Sequence, residues 1–266
     1  MPKLEAGGLV RDIDIVVFDK DGTLIDFDRA WSGRLTRGIA AIGASASADL
    51  AGRAREREAC NLEARKLEAG LYATLGGDPV SGRIVRDGPY VSASIVDTCT
   101  IAATVLYQAG LPWSRCEAIV AEAFRPILAS PVLPGELRGI GDVAGLFGRL
   151  KAAGFRLAVA TNDERISTRS GLEALGVAPL LDAVVCADDA GLAPKPAPDG
   201  LLHIARTLQV VPGRLAIIGD AVSDLRAGRA AGAGLVVGVV SGPSTARQLR
   251  LFADVVVDDI HALRSR

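Results

Sequence analysis

The sequence predicts an α/β fold, a doubly wound parallel sheet interrupted by a helical insertion, and three observations lead there. Short apolar runs of the kind covered on both faces in a parallel sheet recur at Ile13–Phe18, Phe155–Ala160, Ala183–Cys186, Leu215–Gly219, Leu235–Val239 and Val255–Val257. Helical patterns such as Val143, Leu146, Phe147 and Leu150 separate them, and strands alternating with helices build such a sheet. Between Phe27 and Leu133 the pattern changes to Ala-, Arg- and Glu-rich helical stretches with few strand signals.

Taken in order, Ile13–Phe18 is the first core strand, and the insertion follows it directly. Connections are expected near Asp26–Arg29 and Ser130–Pro134, the second marked by Pro131, Pro134 and Gly135. The expected division is therefore residues 1–26 with 134–266 as the α/β core and 27–133 as the helical part. Within that part, Leu75 to Pro89 is the longest loop-like stretch. Its Arg83 and Arg86 read as surface residues, with contact to an anionic substrate as the alternative. Gly139-Ile140-Gly141 superficially resembles a dinucleotide fingerprint, but it follows the Pro134-Gly135 loop instead of a strand, so the required context is missing. Beyond Phe155–Ala160, the pattern Leu201, Leu202, Ala205, Leu208 predicts a helix after the Pro194–Pro198 loop, and a further helix is expected to begin near Ser223.

Chemistry concentrates at the strand ends, where open α/β sheets place their ligands. Asp19 and Asp21 follow the first strand, in Phe18-Asp19-Lys20-Asp21-Gly22-Thr23-Leu24. Two like charges this close require a proton or a cation. A carboxylate cluster around Mg²⁺ meets that need, leaving one acid to attack phosphorus and the other to shuttle a proton. An Asp-rich turn or helix cap is the plain alternative. The strand ending at Ala160 leads into Thr161-Asn162-Asp163, suited either to donating hydrogen bonds to a phosphate oxygen or to capping a helix. Lys195 sits between Pro194 and Pro196, one of only five lysines among 30 Lys+Arg. That loop restricts where its compact ammonium points, while a solvated loop lysine is the bland reading. The strand Leu215–Gly219 ends at Asp220, with Asp224 four residues on, and both acids can face one cation if the helix begins near Ser223.

In this order, Asp19-Lys20-Asp21-Gly22-Thr23-Leu24, Thr161-Asn162, Lys195-Pro196 and Gly219-Asp220 with Asp224 resemble the four motifs of the haloacid dehalogenase (HAD) superfamily, in particular its phosphoglycolate-phosphatase-like members. The resemblance runs from Ile13 to about Val257. It implies a Rossmann-like core with an inserted helical cap, and a Mg²⁺-dependent phosphatase acting on a small phosphorylated metabolite through an aspartyl-phosphate. Asp19 would be the nucleophile and Asp21 the general acid and base. Thr161 and the Asn162 amide would hold phosphoryl oxygens, and Lys195 would neutralise Asp19 together with the phosphoryl group. Asp19, the Asp21 carbonyl and Asp220 would hold Mg²⁺, with Asp224 as a ligand or one shell out. Halide-displacing relatives need no acid for the leaving group, so Asp21 points to phosphoryl transfer. Phosphonate-cleaving relatives use a cap lysine, and Lys66, the sole lysine between the first two motifs, reads as a residue of a solvated helix face. A phosphomutase and a non-catalytic phosphate-binding regulator are the remaining alternatives. Lys20 stands where many relatives carry a hydrophobic residue; strand alternation would turn it away from both acids, free to pair with another one nearby.

Composition fits such an enzyme. The 266 residues are 49% hydrophobic with net charge −1, which gives no electrostatic case for nucleic acid or an anionic membrane. The longest apolar run, Ala230 to Val240, falls short of the roughly 20 residues a membrane span needs. The N-terminal residues show no signal-peptide pattern, and a cytoplasmic location is expected. Cys60, Cys99, Cys116 and Cys186 lack paired spacing, and two histidines, His203 and His261, give no zinc set. Nothing in the sequence speaks to self-association.

Overall fold

The computed structural model describes residues 2–51, 57–78, 80, 83–85, 88–130 and 137–266. Strands β1 (Lys3–Ala6), β2 (Leu9–Asp12) and β3 (Ile15–Phe18) precede helices α1 (Phe27–Ala51), α2 (Arg57–Leu75), α3 (Pro89–Ser92), α4 (Ile95–Gln108), α5 (Trp113–Ile119) and α6 (Arg125–Ala129). Then come α7 (Val143–Ala152), β4 (Arg156–Ala160), α8 (Arg165–Ala174), β5 (Ala183–Val185), α9 (Asp199–Thr207), β6 (Leu215–Gly219), α10 (Val222–Ala231), β7 (Leu235–Val239), α11 (Ala246–Leu249), β8 (Val255–Val257) and β9 (Arg264–Ser265). The chain divides into two compact units, Met1–Phe27 with Pro131–Arg266, and Asp28–Ser130.

The larger unit is α/β, built on a six-stranded sheet in the order β5-β4-β3-β6-β7-β8, every adjacent pair parallel. All four residues of β3 are fully buried, because both faces of the sheet are covered. Alternation along the strand divides its side chains between two cores. Ile15 and Val17 join Leu201 and Ile204 of α9, Leu225 of α10 and Leu249 of α11. On the other face the Phe18 ring lies 4.9 Å from that of Phe147 in α7. Each fully buried side chain of this kind contributes about 1.5–3 kcal/mol.

Register sets the position of the strand tips. Phe18 pairs with Val159 of β4 and with Ile218 of β6. The Asp19 N–H continues the ladder by donating to the Ile218 carbonyl at 2.9 Å. The residues that follow β3, β4 and β6 therefore emerge side by side at one edge of the sheet.

One feature lay outside the sequence reading: β1 and β2 form an antiparallel hairpin, and β9 adds to β1 as a third strand. These strands are short, and only Leu4 and Ala6 of β1 are buried. The turn signal was nonetheless present. Gly7-Gly8 joins them at φ +52° and +85°, a two-residue glycine link of the sort that closes hairpins.

Among its described residues the Asp28–Ser130 unit is built of helices joined by turns, with no strand beyond an isolated bridge, Gly77 to Ile84. α4 packs against both α2 and α5 and buries Thr98, Ala102, Ala103, Val105 and Leu106. Its start is capped by Ser94, whose hydroxyl accepts the Asp97 N–H at 3.1 Å. A single π-helical turn, Val120–Phe124, connects α5 to α6. Arg83 and Lys66 are exposed, whereas Arg86 lies outside the described residues, as do Pro131–Gly135 of the expected second connection.

No described helix is long and apolar enough to cross a membrane. Cys99, Cys116 and Cys186 are free thiols. Residues 131–136, which lead into the Gly139–Gly141 segment, lie outside the described residues. Asp142 caps α7 there by accepting the Gly145 N–H at 2.9 Å, and the Ile140 carbonyl bonds His261 Nε2 at 2.8 Å.

Candidate active site

Four of the predicted side chains meet at the edge of the sheet. The Lys195 ammonium lies 2.5 Å from Asp19 Oδ1 and 2.6 Å from Asp224 Oδ1, and donates to the Ala160 carbonyl at 2.8 Å. All three donor positions of the lysine are thus used. Asp19, Asp220 and Asp224 are buried, and each offers an oxygen within 4.8 Å of the others.

Local backbone holds each group. After Phe18 the chain leaves the strand and folds on itself, the N–H groups of Leu24 and Ile25 both reaching the Lys20 carbonyl. Gly22 makes this possible with φ +89°; a Cβ there would stand 2.4 Å from Asp220 Oδ2. Thr23, fully buried, donates its hydroxyl to Asp220 Oδ1 at 2.7 Å. Asp224 falls in the first turn of α10, as expected, and accepts the Ala221 N–H on Oδ2 at 2.9 Å. Asn162 clamps the lysine loop from outside: its side chain accepts the Lys195 N–H and donates to the Lys195 carbonyl, both at 2.9 Å. Thr161 is buried beside it, its oxygen accepting the Asp163 N–H at 3.1 Å, which leaves the hydroxyl proton available to another acceptor.

Electrostatics follow from this crowding. Burial pushes the Asp19 carboxyl up, the Lys195 charge opposes it and the Asp224 charge adds to it. Asp220 rises well above the carboxylate range through burial and then the repulsion of Asp19 and Asp224. Burial alone would lower Lys195, but the Asp19 and Asp224 charges outweigh it and hold the ammonium above its ordinary value. Three buried carboxylates sharing one ammonium are short of positive charge. Their oxygen-only donor set suits a hard divalent cation.

Lys20 pairs with a second acid nearby, Asp163, as expected, but departs from expectation in also contacting Asp21. Its ammonium lies 2.6 Å from Asp21 Oδ2 and 3.0 Å from Asp163 Oδ2, with the residue only 1% exposed. Alternation fails because Lys20 stands at a bend beyond the strand end, where period-two geometry no longer applies. Burial raises the Asp21 carboxyl, with Lys20 opposing and Asp163 reinforcing the rise. Asp163 goes the other way: burial would raise it, but Lys20 and the Ser167 hydroxyl bring it below the usual range.

The sequence points to Asp163 only within the Thr161-Asn162-Asp163 cluster and to Thr23 only as a member of the first motif, and it does not single out Ser241-Gly242. Ser241 donates to the Gly22 carbonyl at 2.7 Å, and a Cβ on Gly242 would stand 1.9 Å from Asp220 Oδ2. The available signal was position, since both follow a core strand, β7, at the edge where the other tips emerge.

A sequence model of the haloacid dehalogenase-like hydrolases matches residues 13–232. The chain belongs to that family. A probable phosphatase, IndB of Dickeya dadantii, is 30% identical over 246 residues, covering 92% of this chain and 89% of that protein. A phosphoglycolate phosphatase of Shigella dysenteriae is 27% identical over 247 residues, 84% of this chain and 79% of the relative. Among solved structures, a HAD-family hydrolase from Deinococcus radiodurans with bound phosphate and sodium aligns with TM-score 0.55 and 24% identity, covering 94% and 93% of the two chains.

Proposed function

We propose that this HAD hydrolase is a Mg²⁺-dependent phosphatase that cleaves a small phosphorylated metabolite through an aspartyl-phosphate on Asp19. The observation that carries the reading is the convergence of Asp19, Lys195, Asp220 and Asp224 at one sheet edge, with the ammonium 2.5 Å from the proposed nucleophile. In this reading an Asp19 carboxylate oxygen attacks phosphorus. The Asp21 carboxyl gives its proton to the leaving oxygen, then takes one from the water that hydrolyses the acyl phosphate. Thr161 and the Asn162 amide bind phosphoryl oxygens, and Lys195 offsets the charge that gathers as Asp19 and the phosphoryl group meet.

Asp19, Asp220 and the Asp21 carbonyl would hold Mg²⁺, which when bound supplies the positive charge these residues lack. Asp224 has both oxygens engaged, by Lys195 and by the Ala221 N–H, which favours a supporting position over direct ligation. The helical unit would serve as the cap that selects substrate. Phosphoglycolate is the first candidate, given the relatives' names.

Hydrolysis of p-nitrophenyl phosphate tests the reading. Activity should require Mg²⁺, disappear with chelator and be abolished in Asp19→Asn. Metal-independent turnover, or an active variant, overturns it. In a panel of phosphate esters, release of inorganic phosphate is expected; a sugar bisphosphate accumulating from a sugar monophosphate would instead identify a phosphomutase.

A further inference from the structure

We infer that Lys20, braced by Asp163, is a positioning residue that aims the Asp21 carboxyl at the leaving group. The inference rests on the phosphatase reading above and concerns the proton-transfer half of that site.

The geometry is that of a tether. Lys20 is buried, and its stem passes α8 close to Gly171, where a Cβ would stand 3.9 Å from Lys20 Cδ. The ammonium joins two carboxylates from different loops, Asp21 after β3 and Asp163 after β4. Asp163 is itself a fixed post. Its N–H bonds Thr161 Oγ1 at 3.1 Å, its carbonyl accepts the Ala187 N–H at 3.0 Å and its Oδ1 accepts the Glu164 N–H at 2.9 Å. Through Lys20 this post reaches Asp21 Oδ2 and anchors that oxygen. The other oxygen, Asp21 Oδ1, is buried with no hydrogen-bond partner among the described residues. One oxygen is anchored and the other is left for proton exchange.

A hydrophobic side chain would fill the same space without the cost of burying charge. Bulk therefore does not call for an ammonium here, whereas orienting a carboxyl does. In the step served, the O–P bond to Asp19 forms as the bond from phosphorus to the leaving oxygen breaks. The Asp21 proton passes to that oxygen, which departs as an alcohol.

The test uses leaving groups of different basicity. An alkyl phosphate must be protonated as it departs, whereas p-nitrophenolate leaves without help, and kcat/KM reports this first irreversible step for both. General acid catalysis is worth typically 10²–10⁴-fold. Misaiming the acid should thus lower kcat/KM for the alkyl phosphate by about 10–100-fold in Lys20→Met and by at most a few-fold for p-nitrophenyl phosphate. Asp163→Asn should show the same selectivity in weaker form, and it carries the test if Lys20→Met does not fold. In an Asp21→Asn background, Lys20→Met should add nothing further, since the two act as one unit.

Equal losses for both substrates in the active variants, or full additivity with Asp21→Asn, overturn the positioning role and leave the phosphatase reading intact. A wild-type protein that cleaves neither ester in Mg²⁺ overturns both.

Discussion

Replacing Thr23 by Val isolates the support that the fold gives to Asp220. The hydroxyl donates to Asp220 Oδ1 at 2.7 Å, and the two residues are 0% and 1% exposed, so water has no access to replace the lost donor. A hydrogen bond to a charged group contributes about 1.5–3 kcal/mol. This one favours the ionised carboxylate, opposing the rise caused by burial and by the Asp19 and Asp224 charges. The ionised form is the one a cation needs. Loss of an outer support of this kind typically weakens metal affinity 10–100-fold, or about 1.4–2.8 kcal/mol. The assay is phosphate ester hydrolysis against Mg²⁺ concentration, paired with calorimetric Mg²⁺ titration of the substrate-free protein. Half-saturation should move up by one to two orders of magnitude, kcat at saturating Mg²⁺ should stay within a few-fold, and Thr23→Ser should restore the wild-type curve. A half-saturation within twofold of wild type would refute the argument that Thr23 holds Asp220 ready for the metal.

Lys195→Met strands Asp19 and Asp224 without their counter-ion, so unfolding in urea without divalent cation should show a loss of about 3–5 kcal/mol, and kcat/KM should fall about 10²–10³-fold. Gly22 and Gly154 share nearly the same φ, +89° and +88°, but a Cβ on Gly22 meets Asp220 at 2.4 Å and one on Gly154 meets nothing within 4 Å. Both alanine variants should lose about 1–3 kcal/mol of stability, while only Gly22→Ala should also lose Mg²⁺ affinity by calorimetry. At the far edge of the sheet, the Arg214 hydrogen bond holds the Asp14 carboxyl below its ordinary value. The folded value lies below the unfolded one, so its contribution is present above about pH 4 and is lost as pH falls through the folded value. With Asp14 partly exposed, the urea midpoint of Asp14→Asn should correspond to a deficit of no more than about 1 kcal/mol at pH 7, closing as the pH falls through the folded value.

The core strands were legible because a strand buried on both faces leaves a continuous apolar run. Leu215–Gly219, Leu235–Val239 and Val255–Val257 match their predicted spans, and the first strand begins at Ile15 rather than Ile13. The N-terminal hairpin was not legible, because its four-residue strands are half exposed and β9 comes from the opposite end of the chain. The side chains gathered at the sheet edge could be proposed from sequence since Asp19 and Asp220 directly follow core strands, Lys195 sits between two prolines and Asp224 comes four residues after Asp220. Local periodicity could not show what each of them touches. Lys20 is the clearest case: strand alternation would turn it away from Asp21, but the chain bends at Lys20, two residues past Phe18, and brings the two into contact.

The arrangement is costly to fold, and that cost bears on function. Asp19, Asp21, Asp163, Asp220 and Asp224 crowd the edge of the sheet with, among the described residues, only Lys20 and Lys195 paired to them, a formal excess of three negative charges. The two lysines do not serve the same acids. Lys195 binds Asp19 and Asp224, whereas Lys20 binds Asp21 and Asp163, so the cluster separates into a half suited to nucleophile and metal and a half suited to proton transfer. Burial pushes the carboxyls up in both halves, and the neighbouring charges differ. In the first, the charges of Asp19 and Asp224 add to burial in driving Asp220 upward and make a divalent cation favourable; in the second, Asp163 adds to burial at Asp21 while Lys20 opposes it, and Asp21 Oδ1 has no hydrogen-bond partner among the described residues. The fully buried side chains of β3 and β6 lie directly beneath, at about 1.5–3 kcal/mol each, and offset the cost of keeping these charges in place. The hydrophobic sheet thus does more than fix the register of the tips: it stabilises a negatively charged arrangement that, in the proposed function, a bound cation would offset.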